Sequence, residues 1–161
     1  MRITGYGVVA VPENWRGDTA QAQILEAGIV NAKTKEGISG RLRKIYQSLS
    51  EVIEEFKPDV LVIERLYAHY EHPATAILMG HARGVVCLVS GMYGVPLVSI
   101  ASTHVKKSVT GKGHARKIQV QRMIQHEFSL AQLPEPPDVA DALAVALAYL
   151  ATTRRKKGVA G

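Results

Sequence analysis

Asp138 and Asp141 stand three residues apart in Pro137-Asp-Val-Ala-Asp-Ala-Leu-Ala-Val-Ala, near the end of a basic chain. In a helix, positions i and i+3 put both carboxylates on one face, beside the unpaired N–H groups of the first turn. Such a pair can bind a hard cation through oxygen, or it can cap a helix. Asp138 is a good N-cap, and an acid at the third helical position completes a capping arrangement. Glu64 favours the cation. It follows the apolar run Val60-Leu-Val-Ile63, and open α/β sheets place their binding crevice at the carboxyl ends of strands. Three carboxylates converging above strand ends make an oxygen-rich site suited to Mg²⁺, which keeps several waters and shares ligands with substrate phosphates.

The 161 residues fit one domain with a core of ordinary size, residues 1–152, followed by a basic, disordered tail at 153–161. Twenty Lys and Arg against 14 Asp and Glu give a net charge of +6. That balance favours a polyanionic partner, nucleic acid before an acidic membrane surface. The longest uninterrupted apolar run, residues 142–151, is about half a membrane span, and the N-terminus lacks the features of a signal peptide. A soluble, cytoplasmic protein is expected. Cys87, the single cysteine, lies among Val85, Val86, Leu88 and Val89 and reads as a small buried apolar residue.

The elements that must position these residues follow from periodicity. Residues 5–11 and 23–30 read as a hairpin, joined by a long polar loop on which Trp15 folds back. Apolar residues at Leu42, Ile45, Tyr46, Leu49, Val52, Ile53 and Phe56 mark a one-faced helix over 41–56, stopped at Lys57-Pro58. Residues 60–63 read as a strand covered on both faces, which implies a parallel, helix-covered sheet. A helix is predicted over 73–93, with Gly80 and Gly84 spaced for close approach of another backbone. A strand follows at 96–100, then helices over 102–110, 116–128 and 138–150. Two motifs fail: Gly111-Lys112 lacks the glycine and the Ser or Thr of a P-loop, and His69 and His72 lack further zinc ligands.

Several ordered segments together resemble the RuvC family of Holliday junction resolvases. They are Thr4-Gly-Tyr-Gly-Val8, Val62-Ile-Glu-Arg-Leu-Tyr67, Gly80-His-Ala-Arg-Gly84, Val105-Lys106, Gly111-Lys-Gly113, Lys117-Ile-Gln-Val-Gln121 and Asp138-Val-Ala-Asp-Ala-Leu-Ala144. The resemblance runs from Arg2 to about Leu150. It implies a ribonuclease H-like α/β fold, a mixed sheet flanked by helices, and paired cutting of four-way junction DNA by a homodimer. Implied too are two Mg²⁺ ions per site, with Mn²⁺ as a substitute, one activating water and one stabilising the leaving 3′ oxygen. Glu64, Asp138 and Asp141 would hold them, and Lys117 would offset charge on the phosphate. Lys106 would contact DNA, with Lys107, Lys112 and Arg116 extending the basic face. Tyr67 would stack on an unpaired base, an interaction of about 1–3 kcal/mol. The helix at 73–93 would lie at the dimer interface, and the RuvA–RuvB branch-migration complex would deliver the junction.

The resemblance also predicts a departure. Family members begin with one more strand, central in the sheet and ending in an aspartate, so that the first central strand and one metal ligand are expected upstream of Met1. A start codon chosen late, a truncated chain and a degenerate family member would each explain this. The first is favoured, because the three other carboxylates are present. Translation of the codons upstream of Met1 should then show an apolar strand ending in Asp-x-Gly, and an in-frame stop there defeats the idea. A chain without that aspartate reads alternatively as a junction-binding protein that does not cut.

Overall fold

The structure is a computed structural model that describes residues 3–32, 35–66 and 73–157, with side chains through residue 153. Tyr67, His69 and His72 lie outside the described residues. In chain order the elements are β1 (Ile3–Ala10), β2 (Gln23–Asn31), α1 (Gly37–Phe56), β3 (Leu61–Glu64), α2 (Pro73–Tyr93), β4 (Leu97–Ile100), α3 (Ser102–Thr110), α4 (Lys117–Glu127) and α5 (Pro137–Lys157).

Helix α1 starts four residues earlier than its apolar pattern, because Gly37 and Gly40 are weak helix formers that carry no periodic signal. It ends as expected: Lys57 takes the left-handed conformation at φ 45°, and Pro58 cannot continue the helix. The β1–β2 loop folds on itself. Half-buried Trp15 donates its indole N–H to the Asp18 carbonyl at 2.7 Å, and the Asp18 carboxylate caps a short 3₁₀ turn, Thr19–Gln21.

Two expectations about the sheet need correction. The sequence predicts one helix-covered sheet, whereas the strands form two two-stranded sheets, β1–β2 and β3–β4. Residues 60–63 read as covered on both faces, yet Leu61, Val62 and Ile63 are only half-buried, as is every residue of β1. A strand hydrogen-bonded on one side lacks the flanking side chains that would cover its own. The run of apolar residues reports composition and not coverage.

The chain divides into two compact units. In the first, Met1–Thr4 with Val30–Ser99, α1 packs on α2 around Ile45, Ile53, Ala82 and Val89. Helix α2 buries only Ala82 and Val89 and leaves Ile77, Met79, Leu88 and Met92 exposed. Cys87 is exposed on this helix, contrary to its reading as a core residue, because the apolar surface of α2 exceeds what α1 and the strands cover. In the second unit, Gly5–Ile29 with Ile100–Gly161, α5 packs against α3 and α4. Ala140, Ala144 and Ala148 recur every fourth residue on α5 and are fully buried, with Leu143, Val105, Val120 and Ile124. The helix continues past Leu150, where the sequence reading stops it, through the backbone of Arg154-Arg-Lys-Lys157.

Candidate metal and nucleic-acid site

Pro137 is the first helical residue of α5, a position that suits its fixed φ, and the Val139 N–H donates to the Pro136 carbonyl at 2.9 Å. Asp138 therefore sits inside the first turn and not at the cap, and Asp141 follows one turn later. Beneath them runs β1. A Cβ added at Gly5 would lie 2.0 Å from the Asp138 carbonyl oxygen, and one at Gly7 would lie 2.7 Å from Leu143 Cδ2. Alternate residues of a strand share a face, so Gly5 and Gly7 form a bare track on which α5 rests. The sequence carried this signal, a Gly-x-Gly alternation inside a strand, but it does not say which backbone comes close. Replacing Gly5 by Ala forces a backbone shift. Urea unfolding should show a loss of about 1–3 kcal/mol, as for other overpacked sites; an unchanged midpoint would mean that α5 moves aside freely.

Lys117 opens α4, whose start is tied by the Gln119 side chain accepting the Arg116 N–H at 2.8 Å. Its Nζ lies 3.6 Å from Asp141 Oδ2, with the two side chains 72% and 41% exposed. Burial pushes the Asp141 carboxyl above its usual value of 3.8; Lys117 and Lys106 pull it down, and Asp138 pushes it up. Asp138, Asp141, Lys106 and Lys117 thus share one local field. Lys106 comes from α3, which Gly111 closes in the left-handed conformation at φ 75°. The Thr110 hydroxyl donates to the Lys106 carbonyl at 2.8 Å and accepts from the Lys112 N–H at 3.2 Å, shaping the turn that carries exposed Lys112. Lys107 and Arg116 are exposed in the same unit.

The raised Asp141 value has a consequence for stability. Ionisation is harder in the folded chain than in the unfolded one, so the ionised carboxylate subtracts stability once the pH has risen through the folded value. Below the usual value of 3.8 both states are protonated and the penalty is gone. Without metal, Asp141→Asn should raise the melting temperature near neutral pH. The gain should fade as pH drops below 4, and thermal melts across pH would expose a gain of the opposite sign.

Glu64 belongs to the other unit, as the exposed last residue of β3. Its carbonyl accepts from Arg83 Nη1 of α2 at 3.1 Å, and Arg83 Nη2 donates to Ser99 Oγ of β4 at 2.6 Å. Sequence reasoning assigned Arg83 no role. Among the described residues no three His, Cys, Asp or Glu side chains group closely enough to hold a metal ion. The site within the second unit is a two-carboxylate pair. Its donors are all carboxylate oxygens, and it already draws the Lys117 ammonium to Asp141, so its chemistry fits a hard cation.

Comparison with solved structures places this architecture. The Thermus thermophilus RuvC structure superposes with a TM-score of 0.82 at 29% identity, covering 96% of this chain and 91% of that one. T. thermophilus RuvC in complex with Holliday junction substrate gives 0.79 at 26%, covering 97% of each chain. The fold is therefore that of the ribonuclease H-like α/β proteins. The family model described as crossover junction endodeoxyribonuclease RuvC matches residues 1–149. Relatives of that name are 40% identical in Rhodopirellula baltica, over 94% of this chain and 83% of theirs, and 37% in Pseudothermotoga lettingae, over 95% and 92%. The chain belongs to the RuvC family.

Proposed function

We propose that this protein is a crossover junction endodeoxyribonuclease that resolves four-way DNA junctions by paired hydrolysis of phosphodiester bonds. The carrying observation is the family match over residues 1–149, joined to an acidic pair flanked by Lys117 and Lys106 in a basic chain. Asp138, Asp141 and Glu64 are the proposed ligands of Mg²⁺, two ions per site with Mn²⁺ as a substitute. When bound, the ions supply a nucleophile from water and stabilise the leaving oxygen. In this reading Lys117 would neutralise charge on the phosphate, Lys106, Lys107, Lys112 and Arg116 would hold the DNA backbone, and Tyr67, outside the described residues, would stack on an unpaired base. The reading keeps the protein in the cytoplasm, with the RuvA–RuvB complex delivering the junction.

Incubation with a synthetic four-way junction tests this. Symmetric paired nicks with Mg²⁺ but not Ca²⁺ are expected. A salt-sensitive gel shift without cutting would favour the alternative, a non-cleaving junction binder.

Helix α2 supports the homodimer. It is long and apolar enough to cross a membrane by length and composition, but it packs on α1 and hydrogen-bonds β3 and β4 through Arg83. Gly80, Gly84 and Gly91 have nothing within 4 Å of a Cβ position, beside exposed Ile77, Leu88 and Met92. These residues fall on one arc of the helix, a surface where a second copy can come close. Leu88→Glu should shift sedimentation from dimer to monomer and uncouple the two nicks. A variant that stays dimeric places the interface elsewhere.

A further inference from the structure

We propose that Arg83 is a positioning residue for cleavage, a clamp that sets the end of β3 and with it the direction of Glu64. The proposal rests on the reading of Glu64 as a metal-binding carboxylate. A guanidinium is planar, and its N–H groups have fixed directions, so two acceptors bonded to Nη1 and Nη2 are held in a fixed relation to each other. Here the acceptors are the main-chain carbonyl of Glu64 at 3.1 Å and the Ser99 hydroxyl at 2.6 Å. One lies at the end of β3 and the other in the neighbouring strand β4. At the opposite end of the ribbon the Leu61 N–H donates to the Pro96 carbonyl at 2.8 Å. The short β3–β4 pair is thus hydrogen-bonded through the main chain, and Arg83 adds a side-chain bridge at its finish.

Glu64 needs that bridge. Its side chain is exposed, and the strand behind it is only half-buried, so side-chain packing alone fixes little. Rotation of the Glu64 peptide would swing the carboxylate, and Arg83 opposes that rotation by holding the carbonyl. Arg83 is itself anchored: it is half-buried and follows Ala82, one of the two residues that α2 buries. A lysine has a single charged nitrogen on a flexible stem and cannot reproduce the two fixed directions, so Arg83→Lys is not a neutral change.

The test uses the full chain with Arg83→Met, Arg83→Lys, Ser99→Ala and Glu64→Gln. Mn²⁺ binding is followed by electron paramagnetic resonance without DNA, junction affinity in Ca²⁺, and cleavage in a single turnover. Loss of a group that orients a metal ligand costs about 10- to 100-fold in metal affinity or activity. Arg83→Met should weaken Mn²⁺ binding and slow cleavage by factors in that range while junction affinity and melting temperature hold. Arg83→Lys and Ser99→Ala should show smaller losses in the same two measurements, and they carry the test if Arg83→Met does not fold. Unchanged Mn²⁺ affinity and cleavage in these variants overturn the clamp. So does a fall in junction affinity that accounts for the lost rate, since Arg83 would then be a DNA contact. If Glu64→Gln keeps both metal affinity and cutting, the reading of Glu64 fails. If it loses both while the Arg83 variants lose neither, only the clamp fails.

Discussion

Glu64→Gln leaves junction binding intact and slows cutting on the order of a thousandfold or more, about 4 kcal/mol of transition-state stabilisation. The change is small in shape and large in chemistry. Glutamine keeps the length and one carbonyl oxygen, but it loses the negative charge that a hard divalent cation requires. Because Glu64 is exposed at the end of β3 and bonded to Arg83 only through its main chain, the substitution leaves the clamp and the fold in place. Loss of an anion near DNA phosphates does not weaken their attraction to the basic face. Gel shifts in Ca²⁺ and single-turnover cutting in Mg²⁺ separate the two effects. Equal losses in both would assign Glu64 to folding or DNA contact, and normal cutting would remove it from the metal site.

Lys117→Met has the second largest expected effect, a fall of about 100- to 1,000-fold in the cleavage step, the range seen when one group that stabilises developing charge is removed. The fold should hardly notice. The Lys117–Asp141 pair spans 3.6 Å between exposed side chains, and such pairs contribute about 0–1 kcal/mol to stability. A rate loss far beyond the stability change is the signature of an ammonium that acts on the phosphate. Thermal melts and single-turnover rates measured together decide it. A loss seen only below saturating enzyme would make Lys117 a binding contact instead.

The order of strands and helices was legible because each element carries its own punctuation. Pro73 and Tyr93 bound α2 as the sequence predicts, and α3 also matches. Glu64 does stand at a strand end, and Asp138 and Asp141 do share the start of a helix. Long-range partners were not legible. Nothing in the spacing says that Gly5 meets the Asp138 carbonyl, or that Arg83 reaches the Glu64 main chain, because both depend on which segments fold beside each other. Apolar composition misled twice, at Cys87 and along β3. A helix or strand intended for a further neighbour reads the same in sequence as one already covered.

The bare track on β1 carries a consequence for engineering. With Gly5 beneath the Asp138 carbonyl and no side chain between them, the separation of α5 from the strand is set by contact between two main chains. Core residues such as Val105, Val120 and Ile124 can be exchanged for others of similar volume at a cost typically below about 1.5 kcal/mol. Such exchanges leave that contact distance untouched. Stabilised variants can therefore be sought by repacking the interior around α5, with Gly5 and Gly7 held fixed as the datum from which the acidic pair is measured.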